Sequence, residues 1–324
     1  MAPTAEELLA VDEGRAIAAA EGFVRGLCDR HEVGGVILGL SGGLDSSVLA
    51  CIAVRALGAS SVRALYLHDR DHPPDPGSDA ANVSGLLGIE LESMSIEPED
   101  EEGVPGAPRG PALLRVSASL NRLLYRSYRI ATGETPFESS LRFGDGTAGG
   151  SGVHDRARRA IGRITEEIFE RRHIRRRRLL ETTAEDRGLL ALGGANRTEW
   201  ETGWFVSGGI DDLPHQPLIG LYKTQVRMLA RRLGVPARIM EKSPSPDMLA
   251  GVDDEFAMGL DYGRLDIALD VIDGGTGSRE AEAAGVKSRH IERTARLHEL
   301  SRWKRRKGLL RFPVDGGKDG GLRR

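Results

Sequence analysis

The stretch Val36-Ile37-Leu38-Gly39-Leu40-Ser41-Gly42-Gly43-Leu44-Asp45-Ser46 joins a short apolar run to a glycine-rich turn. The apolar run predicts a β-strand that is covered on both faces. The turn leads into residues 46–57, which predict a helix that ends at Gly58. Glycines let backbone N–H groups point toward one place, and a helix N-terminus adds partial positive charge there. The junction therefore predicts a receptor for a pyrophosphate group.

The same alternation of strand and helix continues on both sides of this stretch. Apolar spacing and glycine stops predict helices over 14–28, 79–87 and 223–233, and strands over 62–67, 89–96 and 189–192. A strand–helix–strand order is typical of a parallel sheet. We therefore predict an α/β fold with a doubly wound, Rossmann-like parallel sheet and helices on both faces.

The middle and the end of the chain interrupt this rhythm. Residues 132–152 are rich in glycine and show no apolar periodicity, which predicts a mobile insertion. Residues 155–184 predict another helix, and the glycine- and charge-rich residues 314–324 predict a frayed tail. Residues 113–130 predict a basic helix, with inward-facing side chains at Val116, Leu120, Leu123 and Leu124. The chain has no internal repeat, and we predict a single domain over 1–324.

Composition excludes several classes of protein. The 324 residues carry 45 basic and 48 acidic side chains, a net charge of −3, which argues against a general attraction to nucleic acid or to membranes. No apolar run approaches the ~18 residues of a spanning helix, and the acidic N-terminus is unlike a signal peptide. Cys28 and Cys51 are too few for a secreted disulfide framework. We expect a cytoplasmic enzyme.

Asp45 gives the turn a further chemical property. A carboxylate is a poor direct neighbour for a phosphate unless a divalent cation lies between them, so Asp45 is a candidate magnesium ligand. The turn lacks the Gly-Lys-Ser/Thr of a Walker A loop and the spacing of a dinucleotide-binding GxGxxG motif. The alternative interpretation is an ordinary glycine-rich turn in which serine and aspartate only cap the helix.

The hexapeptide Ser41-Gly42-Gly43-Leu44-Asp45-Ser46 resembles the signature of the ATP pyrophosphatase (PP-loop) superfamily. Four later segments are similar to those of NAD synthetases, in the same order: 191–199, 217–227, 233–236 and 242–247. The arginine-rich run 173–178 and Trp303-Lys304-Arg305 stand where that family has further basic motifs. No stretch resembles a glutaminase, so the resemblance is to a synthetase domain alone.

The resemblance implies roles for particular residues of this chain. It implies that Asp45 and Glu199 bind Mg²⁺, and that Asp45 and Lys223 act in catalysis. It implies that the substrate is bound by Arg176, as the assigned arginine of the 175–178 cluster, by Asp212 and by Lys304. The implied ATP-binding residues are Gly39, Ser41, Gly42, Gly43, Leu44, Asp45, Ser46, Gly194, Lys223 and Ser245. Without the resemblance, Glu199 would be a first-turn helix acid and the arginine run a solvated helix face.

Several positions depart from the family pattern on the substrate side. Ser207 stands where the family has a lysine, and Pro214 where it has a substrate-binding aspartate, with Asp211, Asp212 and His215 as nearby substitutes. Gly194 replaces a threonine, and Trp303 a histidine. The ATP half of the pattern is therefore better preserved than the half that recognises nicotinic acid adenine dinucleotide.

The resemblance implies an amide ligase that adenylates a carboxylate with ATP and amidates it with ammonia, as an NAD synthetase does with nicotinic acid adenine dinucleotide. It also implies a homodimer, with ammonia free or supplied by a separate glutaminase. The altered positions leave open an amide or thioamide ligase for a different acid in specialised metabolism. Sulfur transfer to tRNA is disfavoured because it commonly uses reactive cysteines, and a nucleic-acid partner is not expected. A non-catalytic ATP-binding partner subunit is the remaining alternative, which two convergent carboxylates disfavour.

Overall fold

The centre of the fold is a parallel sheet with strand order β3-β2-β1-β4. The computed structural model describes residues 2–68, 75, 78–96, 117–146, 152–165, 170–243, 251–306 and 310–311. The four strands are β1 (Val36–Gly39), β2 (Val62–His68), β3 (Glu90–Ser95) and β4 (Leu190–Leu192). Val36 pairs with Val62 on one side and with Leu190 on the other, so β1 is a central strand. A short parallel pair, β5 (His215–Gln216) and β6 (Leu310–Arg311), lies apart from this sheet.

Helices account for most of the rest of the described chain. Those up to the fourth strand are α1 (Ala5–Leu8), α2 (Glu13–His31), α3 (Leu44–Leu57), α4 (Asp79–Leu87), α5 (Ala118–Thr132), α6 (Pro136–Gly144), α7 (Val153–Thr165) and α8 (Arg171–Asp186). Those after it are α9 (Arg197–Thr202), α10 (Lys223–Leu233), α11 (Ala237–Glu241), α12 (Asp254–Met258), α13 (Tyr262–Ile272), α14 (Ser278–Ala283) and α15 (Ser288–Leu300).

Helices cover both faces of the sheet. Leu38 belongs to the main core cluster, which α2, α3 and α10 complete with side chains such as Leu27 and Leu229. The neighbouring Ile37 belongs to a second cluster together with Leu180 of α8. Successive residues of a strand point to opposite faces, so a strand that is apolar at both positions must be covered on both sides. The predicted doubly wound α/β fold is confirmed.

Most predicted elements of the nucleotide-binding half are present within one to three residues. The strands at 36–39, 62–68, 90–95 and 190–192 and the helices at 13–31, 44–57, 79–87 and 223–233 confirm the sequence patterns. The α4 helix ends at Gly88, whose φ of 65° is left-handed, as the predicted glycine stop requires. Cys28 and Cys51 are free and buried in helices.

The predictions for the middle of the chain were partly wrong. In α5, Leu123 and Leu124 are exposed, whereas Asn121 and Tyr125 are buried, because Tyr125 packs its ring on Phe256 at a centroid distance of 5.2 Å. The other inward assignments differ too, since Leu120 is half-buried and Val116 lies outside the described residues. Within the helix predicted over 155–184, α7 is described to Thr165 and α8 from Arg171, and residues 166–169 lie outside the described residues.

The segment predicted as an irregular, mobile insertion contains a helix. The α6 helix occupies 136–144, where Thr135 and Glu138 form a capping box and Leu141 is buried. The prediction of an irregular segment is therefore wrong for these residues, because local capping and one buried leucine stabilise a helix without long apolar periodicity. Residues 147–151 and the tail 314–324 lie outside the described residues.

Gly42 carries the turn that joins β1 to α3. Its φ is 76°, and a Cβ at this position would lie 2.6 Å from the backbone N of Ala80 in α4. Both the left-handed conformation and the close approach favour glycine.

We expect Gly42→Ala to lower the free energy of unfolding by about 2–3 kcal/mol, since strain and overlap add. The control is Gly22→Ala in α2, where a Cβ would meet nothing within 4 Å. That change should raise stability by about 0.5–1 kcal/mol through helix propensity. Urea denaturation of both variants measures the difference, and equal effects would contradict the steric argument.

Candidate active site

A cleft of about 700 Å³ opens at the carboxyl ends of β1 and β4. In parallel sheets, ligands bind at this edge because the loops that follow neighbouring strands converge there. The cleft is lined by most of the residues implied by the family resemblance: Gly39, Ser41, Gly43, Leu44, Asp45, Ser46, Arg176, Gly194, Glu199, Lys223 and Lys304. The structure thus brings together residues from five separate parts of the chain.

The turn after β1 presents an uncapped helix end to this cleft. Gly43 is the N-cap of α3 and supplies no side-chain hydrogen bond, whereas Asp12 and Ser78 cap α2 and α4 with their side chains. Without a side-chain cap, first-turn N–H groups remain available to an external anion. The Ser41 and Ser46 hydroxyls lie 3.1 Å apart beside them and add neutral donors.

Lys223 is the centre of the site. It is the first residue of α10, its side chain is buried, and Nζ donates to Asp45 Oδ2 and to Glu199 Oε1, the latter at 3.1 Å. The three residues come from the helices that follow β1, β4 and β5 along the chain. A buried ammonium group requires such partners, because an unpaired charge in the interior is very costly.

Asn196 joins the two carboxylates. It is the N-cap of α9, where Oδ1 accepts a hydrogen bond from Glu199 N at 3.0 Å, and its Nδ2 donates to Asp45 Oδ1 at 3.0 Å. Asn196 lies in the segment 191–199, and the family resemblance implies no role for it. Its capping geometry explains why an asparagine suits this position: one oxygen is needed for the helix and one N–H for Asp45.

Burial and mutual interaction shift the pKa values of Glu199 and Lys223. Burial raises the pKa of Glu199 to about 8, although the nearby Lys223 opposes the rise and Asp45 adds to it. Burial disfavours the charged form of Lys223 as well, but Asp45 and Glu199 outweigh it and raise the pKa of Lys223 above its usual value. The ammonium group therefore stays charged. Two carboxyl groups share this one ammonium group, and burial favours the neutral form of Glu199.

Asp254 and Tyr262 belong to the same site, and sequence patterns did not single them out. Asp254 lines the cleft, and burial raises its pKa to about 6. The Tyr262 hydroxyl donates to Asp254 Oδ2 at 2.8 Å, and the Tyr262 ring lies 5.1 Å from Lys223 Nζ. Both come from helices more than 50 residues beyond the strand-end motifs, and the acidic run 253–255 was the only signal for them.

A second buried aspartate positions Lys223 through the backbone. Asp266 in α13 accepts hydrogen bonds from the Thr198 hydroxyl and from Thr224 N, the latter at 2.7 Å. The same Thr198 oxygen accepts from Lys223 N at 2.9 Å. The first turn of α10 is thus held against α9 by a chain of hydrogen bonds, which aims the lysine side chain at Asp45 and Glu199.

The donor set fits a magnesium ion that is shared with phosphate. Within the part of the chain that the structure describes, no group of three or more His, Cys, Asp or Glu side chains is arranged around a metal position. Asp45 and Glu199 nevertheless contact the same ammonium nitrogen, so they lie close enough to share one ion. Mg²⁺ is commonly bound by one or two carboxylates together with phosphate oxygens and water. A bound cation would favour the charged form of Glu199 and lower its pKa.

The structure places two of the three candidate substrate residues in the cleft. Arg176 and Lys304 line the cleft, whereas Asp212 does not. Asp212 is buried, and its Oδ2 accepts a hydrogen bond from Gly208 N at 2.7 Å. Its implied substrate role is thus at odds with the geometry, because the carboxylate stabilises a turn, and the adjacent Asp211 lines the cleft instead.

Lys304 lines the cleft and also stabilises the loop that follows α9. Its Nζ donates to Gly203 O at 2.9 Å and to Phe205 O. Burial lowers the pKa of Lys304 to about 8, with Glu170 and Asp212 acting in the other direction. Of the other implied residues, Gly42 shapes the turn without lining the cleft, and Ser245 lies outside the described residues.

Fold and site together define an α/β protein with a cleft at the carboxyl edge of a parallel sheet, lined by a glycine-rich turn, two carboxyl groups and a buried lysine. The sequence model of one family, described as NAD synthase, matches residues 16–103 and 154–308. This chain belongs to the NAD synthase family. Members of that family are ligases that form carbon–nitrogen bonds and use ATP, and the chain is a ligase of this class.

Individual relatives agree with this assignment. The chain is 30% identical to the NH₃-dependent NAD⁺ synthetase of Thermotoga neapolitana over 286 residues, which cover 88% of this chain and 91% of the relative. It is 32% identical to that of Methanopyrus kandleri over 281 residues, 86% of this chain and 81% of the relative.

Among the described residues, the structure contains no helix long and apolar enough to cross a membrane.

Solved structures show the same fold. The NMN synthetase from Francisella tularensis superposes with a TM-score of 0.60 at 23% identity, covering 92% of this chain and 98% of that one. The NH₃-dependent NAD synthetase from Campylobacter jejuni gives a TM-score of 0.57 at 17% identity, with 90% and 96% covered.

His215, a candidate substitute on the substrate side, is buried away from the cleft. Its ring packs edge-on against His31 at 4.9 Å, and burial, His31 and Arg30 together lower the pKa of His215 to about 4. An unfolded chain with an ordinary histidine binds the proton more readily than this site does. Stability from His215 is therefore complete above about pH 6.5 and is lost as the pH falls toward 4.

We expect His215→Gln to make the loss of unfolding free energy between pH 6.5 and 4.5 smaller by about 1–2 kcal/mol, because the neutral amide cannot titrate. Urea denaturation at several pH values measures this slope. His154→Gln, at an exposed position of α7, is the control and should keep the slope of the parent protein. Equal slopes for His215→Gln and the parent would contradict the argument.

Proposed function

We propose that this chain is an ammonia-dependent NAD synthetase that adenylates the carboxylate of nicotinic acid adenine dinucleotide and converts it to an amide. The observation that carries the proposal is the buried Lys223, which lies between Asp45 and Glu199 beside the uncapped end of α3. This arrangement suits a reaction in which negative charge moves onto a leaving pyrophosphate. The family assignment supports the amide as the product.

The reaction has two steps. A carboxylate oxygen attacks the α-phosphorus of ATP, the bond between the α-phosphorus and its bridging oxygen breaks, and pyrophosphate leaves with the electron pair. Ammonia then attacks the acyl carbon, AMP leaves, and the nitrogen loses a proton to give the amide. No side-chain nucleophile is needed, so the protein's work is to bind, orient and stabilise charge.

The residues of the cleft divide this work between them. The first-turn N–H groups of α3 and the Ser41 and Ser46 hydroxyls would bind the leaving pyrophosphate. Lys223 would exchange its carboxylate partners for phosphate oxygens and neutralise charge there. Asp45 and Glu199 would then hold Mg²⁺, which supplies further neutralisation of the phosphate oxygens when it is bound.

The identity of the acid substrate is inferred from the basic side chains of the cleft. His173, Arg176 and Lys304 line it, and they suit the diphosphate of a dinucleotide. A second candidate is an amide or thioamide ligase for a different acid. Two observations favour it: Asp212 does not line the cleft, and Pro214 is exposed and offers no side-chain acceptor.

The assembly and the nitrogen source are also part of this proposal. We propose a homodimer that uses free ammonia or ammonia from a separate glutaminase. Sedimentation equilibrium should give twice the 35.0 kDa chain mass, and a monomer would contradict the dimer. Glutamine should not replace ammonium in the purified reaction, because the chain carries no recognisable glutaminase segment.

Turnover is tested by mass spectrometry of a reaction that contains Mg-ATP, ammonium and nicotinic acid adenine dinucleotide. We expect NAD, AMP and pyrophosphate in equal amounts. Asp45→Asn and Lys223→Met should each lower kcat by about 10²–10³-fold, because each removes preorganised charge at the phosphates. Lys287→Met, an exposed lysine, is the control and should leave kcat unchanged.

The outcomes separate the candidate functions. Amide formed only from another acid would support the second candidate. Absence of AMP and pyrophosphate with every acid would overturn the ligase proposal, and turnover that survives Asp45→Asn would show that this carboxylate has no catalytic role.

A further inference from the structure

A second cavity opens beside α5, outside the catalytic cleft. It has a volume of about 600 Å³ and is lined by the second half of α5, the chain around α12 and α13, and the start of α15. Small-molecule sites usually measure about 300–1,000 Å³. Among the described residues that line it, only Tyr125 also lines the catalytic cleft. We call it the basic cavity, because its walls carry Arg126, Arg129, Arg264, Lys287 and Arg289.

The basic cavity concentrates positive charge in a protein that is acidic overall. Its lining residues include five arginines or lysines but only two carboxylates, Glu255 and Asp261. The whole chain, by contrast, has a net charge of −3. Like charges gathered on the walls of a cavity focus the electrostatic potential there. The cavity therefore attracts anions, although the protein as a whole does not.

Both carboxylates of the basic cavity already have partners. Asp261 caps α13, since its Oδ1 accepts a hydrogen bond from Arg264 N at 2.9 Å, and its Oδ2 pairs with the Arg264 guanidinium. Glu255 Oε1 accepts a hydrogen bond from Tyr262 N at 3.0 Å. The other four basic side chains form no salt bridge with any carboxylate that the structure describes. Their charges are left for solvent or for a bound anion.

Neighbouring rings hold two of these four cations in place. The Arg126 guanidinium lies 5.8 Å from the centroid of the Phe256 ring, which packs on the Tyr125 ring at 5.2 Å. Arg289 Nε donates a hydrogen bond to His290 Nε2 at 3.2 Å. Side chains held in this way lose less conformational freedom when a ligand binds them.

The free cavity also carries electrostatic repulsion. Burial lowers the pKa of His290, and the charge of Arg289 lowers it further. Arg293 lies behind Gly259 of the cavity wall, where a Cβ would be 2.8 Å from Arg293 Nη2. Burial lowers the pKa of Arg293 too, and the charge of Arg129 adds to this effect. A bound anion would offset the repulsion among these cations.

We infer that the basic cavity is a second anion site, separate from the catalytic cleft, and that it binds an oligophosphate, either an inorganic chain or the phosphate tail of a nucleotide. Five cations that face two carboxylates require a ligand with several negative charges, and linked phosphates carry such charges in a small volume. Guanidinium groups suit phosphate oxygens, because each planar fork can donate to two oxygens at once. The inference does not depend on the proposed ligase function.

Isothermal titration calorimetry of the full chain with tripolyphosphate, in the absence of magnesium, tests the inference. Arg129→Glu removes a cation that α5 contributes to the cavity, and Arg289→Glu removes one that α15 contributes. Each variant should bind one tripolyphosphate fewer per chain than the parent, or bind it at least about tenfold more weakly at that site, because a carboxylate replaces a cation beside the phosphates. Binding in the catalytic cleft is common to all proteins compared and does not affect the difference.

Arg15→Glu is the matched control. Arg15 is an exposed residue of α2 that lines neither cavity, and its substitution changes the net charge by the same amount. This variant should keep the number of binding events and the affinities of the parent. Arg129→Lys retains the positive charge and should retain the binding event. Near-UV circular dichroism checks that all four variants keep the parent fold.

The same titration with ATP in place of tripolyphosphate identifies the source of the phosphates. Tighter binding of ATP at the site that Arg129→Glu removes assigns a nucleotide to the cavity. Equal or weaker binding of ATP at that site assigns an inorganic phosphate chain.

The inference is wrong if Arg129→Glu and Arg289→Glu bind tripolyphosphate as the parent does, or if Arg15→Glu loses the same binding event. Neither result bears on the ligase proposal, whose test is the formation of AMP and pyrophosphate.

Discussion

The buried ammonium group of Lys223 is the constraint on which the site depends. It needs carboxylate partners, and the partners that it has, Asp45 and Glu199, follow different strands of the sheet. A charge in the interior is tolerated only when it is paired and hydrogen-bonded. The lysine therefore links the helices that follow β1 and β4 to the start of α10. Two carboxyl groups share this one ammonium group, and burial raises the pKa of Glu199 to about 8.

The uncapped start of α3 also lowers the stability of the free protein at this site, because no side chain caps its first-turn N–H groups. Eight of the described helices begin with a capping side-chain hydrogen bond, whereas Gly43 leaves the first-turn N–H groups of α3 to the cleft. Natural proteins accept such costs at functional sites, where a ligand completes the interactions. Two convergent carboxyl groups and available N–H groups complement the two components of a metal–nucleotide, since a cation meets the first and phosphate oxygens the second. The family assignment agrees with this interpretation.

Local patterns predicted the nucleotide half of the site well. A strand, a glycine turn and a helix are adjacent in the chain, so Ser41 and Asp45 could be placed without tertiary information. Asp254 and Tyr262 could not, because nothing in their own segment distinguishes a cleft residue from a surface acid or a core tyrosine. The exposure of Leu123 and Leu124 was missed for a related reason. Apolar spacing in a helix is typical of a core face, and it does not reveal which side of the helix faces solvent or a cleft.

The sequence by itself determined the parallel sheet, the phosphate-binding turn and the family, because each depends on residues that are close together or on motifs in a set order. Only the tertiary structure decided that Lys223 contacts two carboxylates, that Asp212 stabilises a turn instead of lining the cleft, and that basic side chains of α5 and α15 line a second cavity. These facts depend on which distant side chains share a small volume, and on the burial that changes their charge. Neither distance in space nor burial is encoded in a local run of residues.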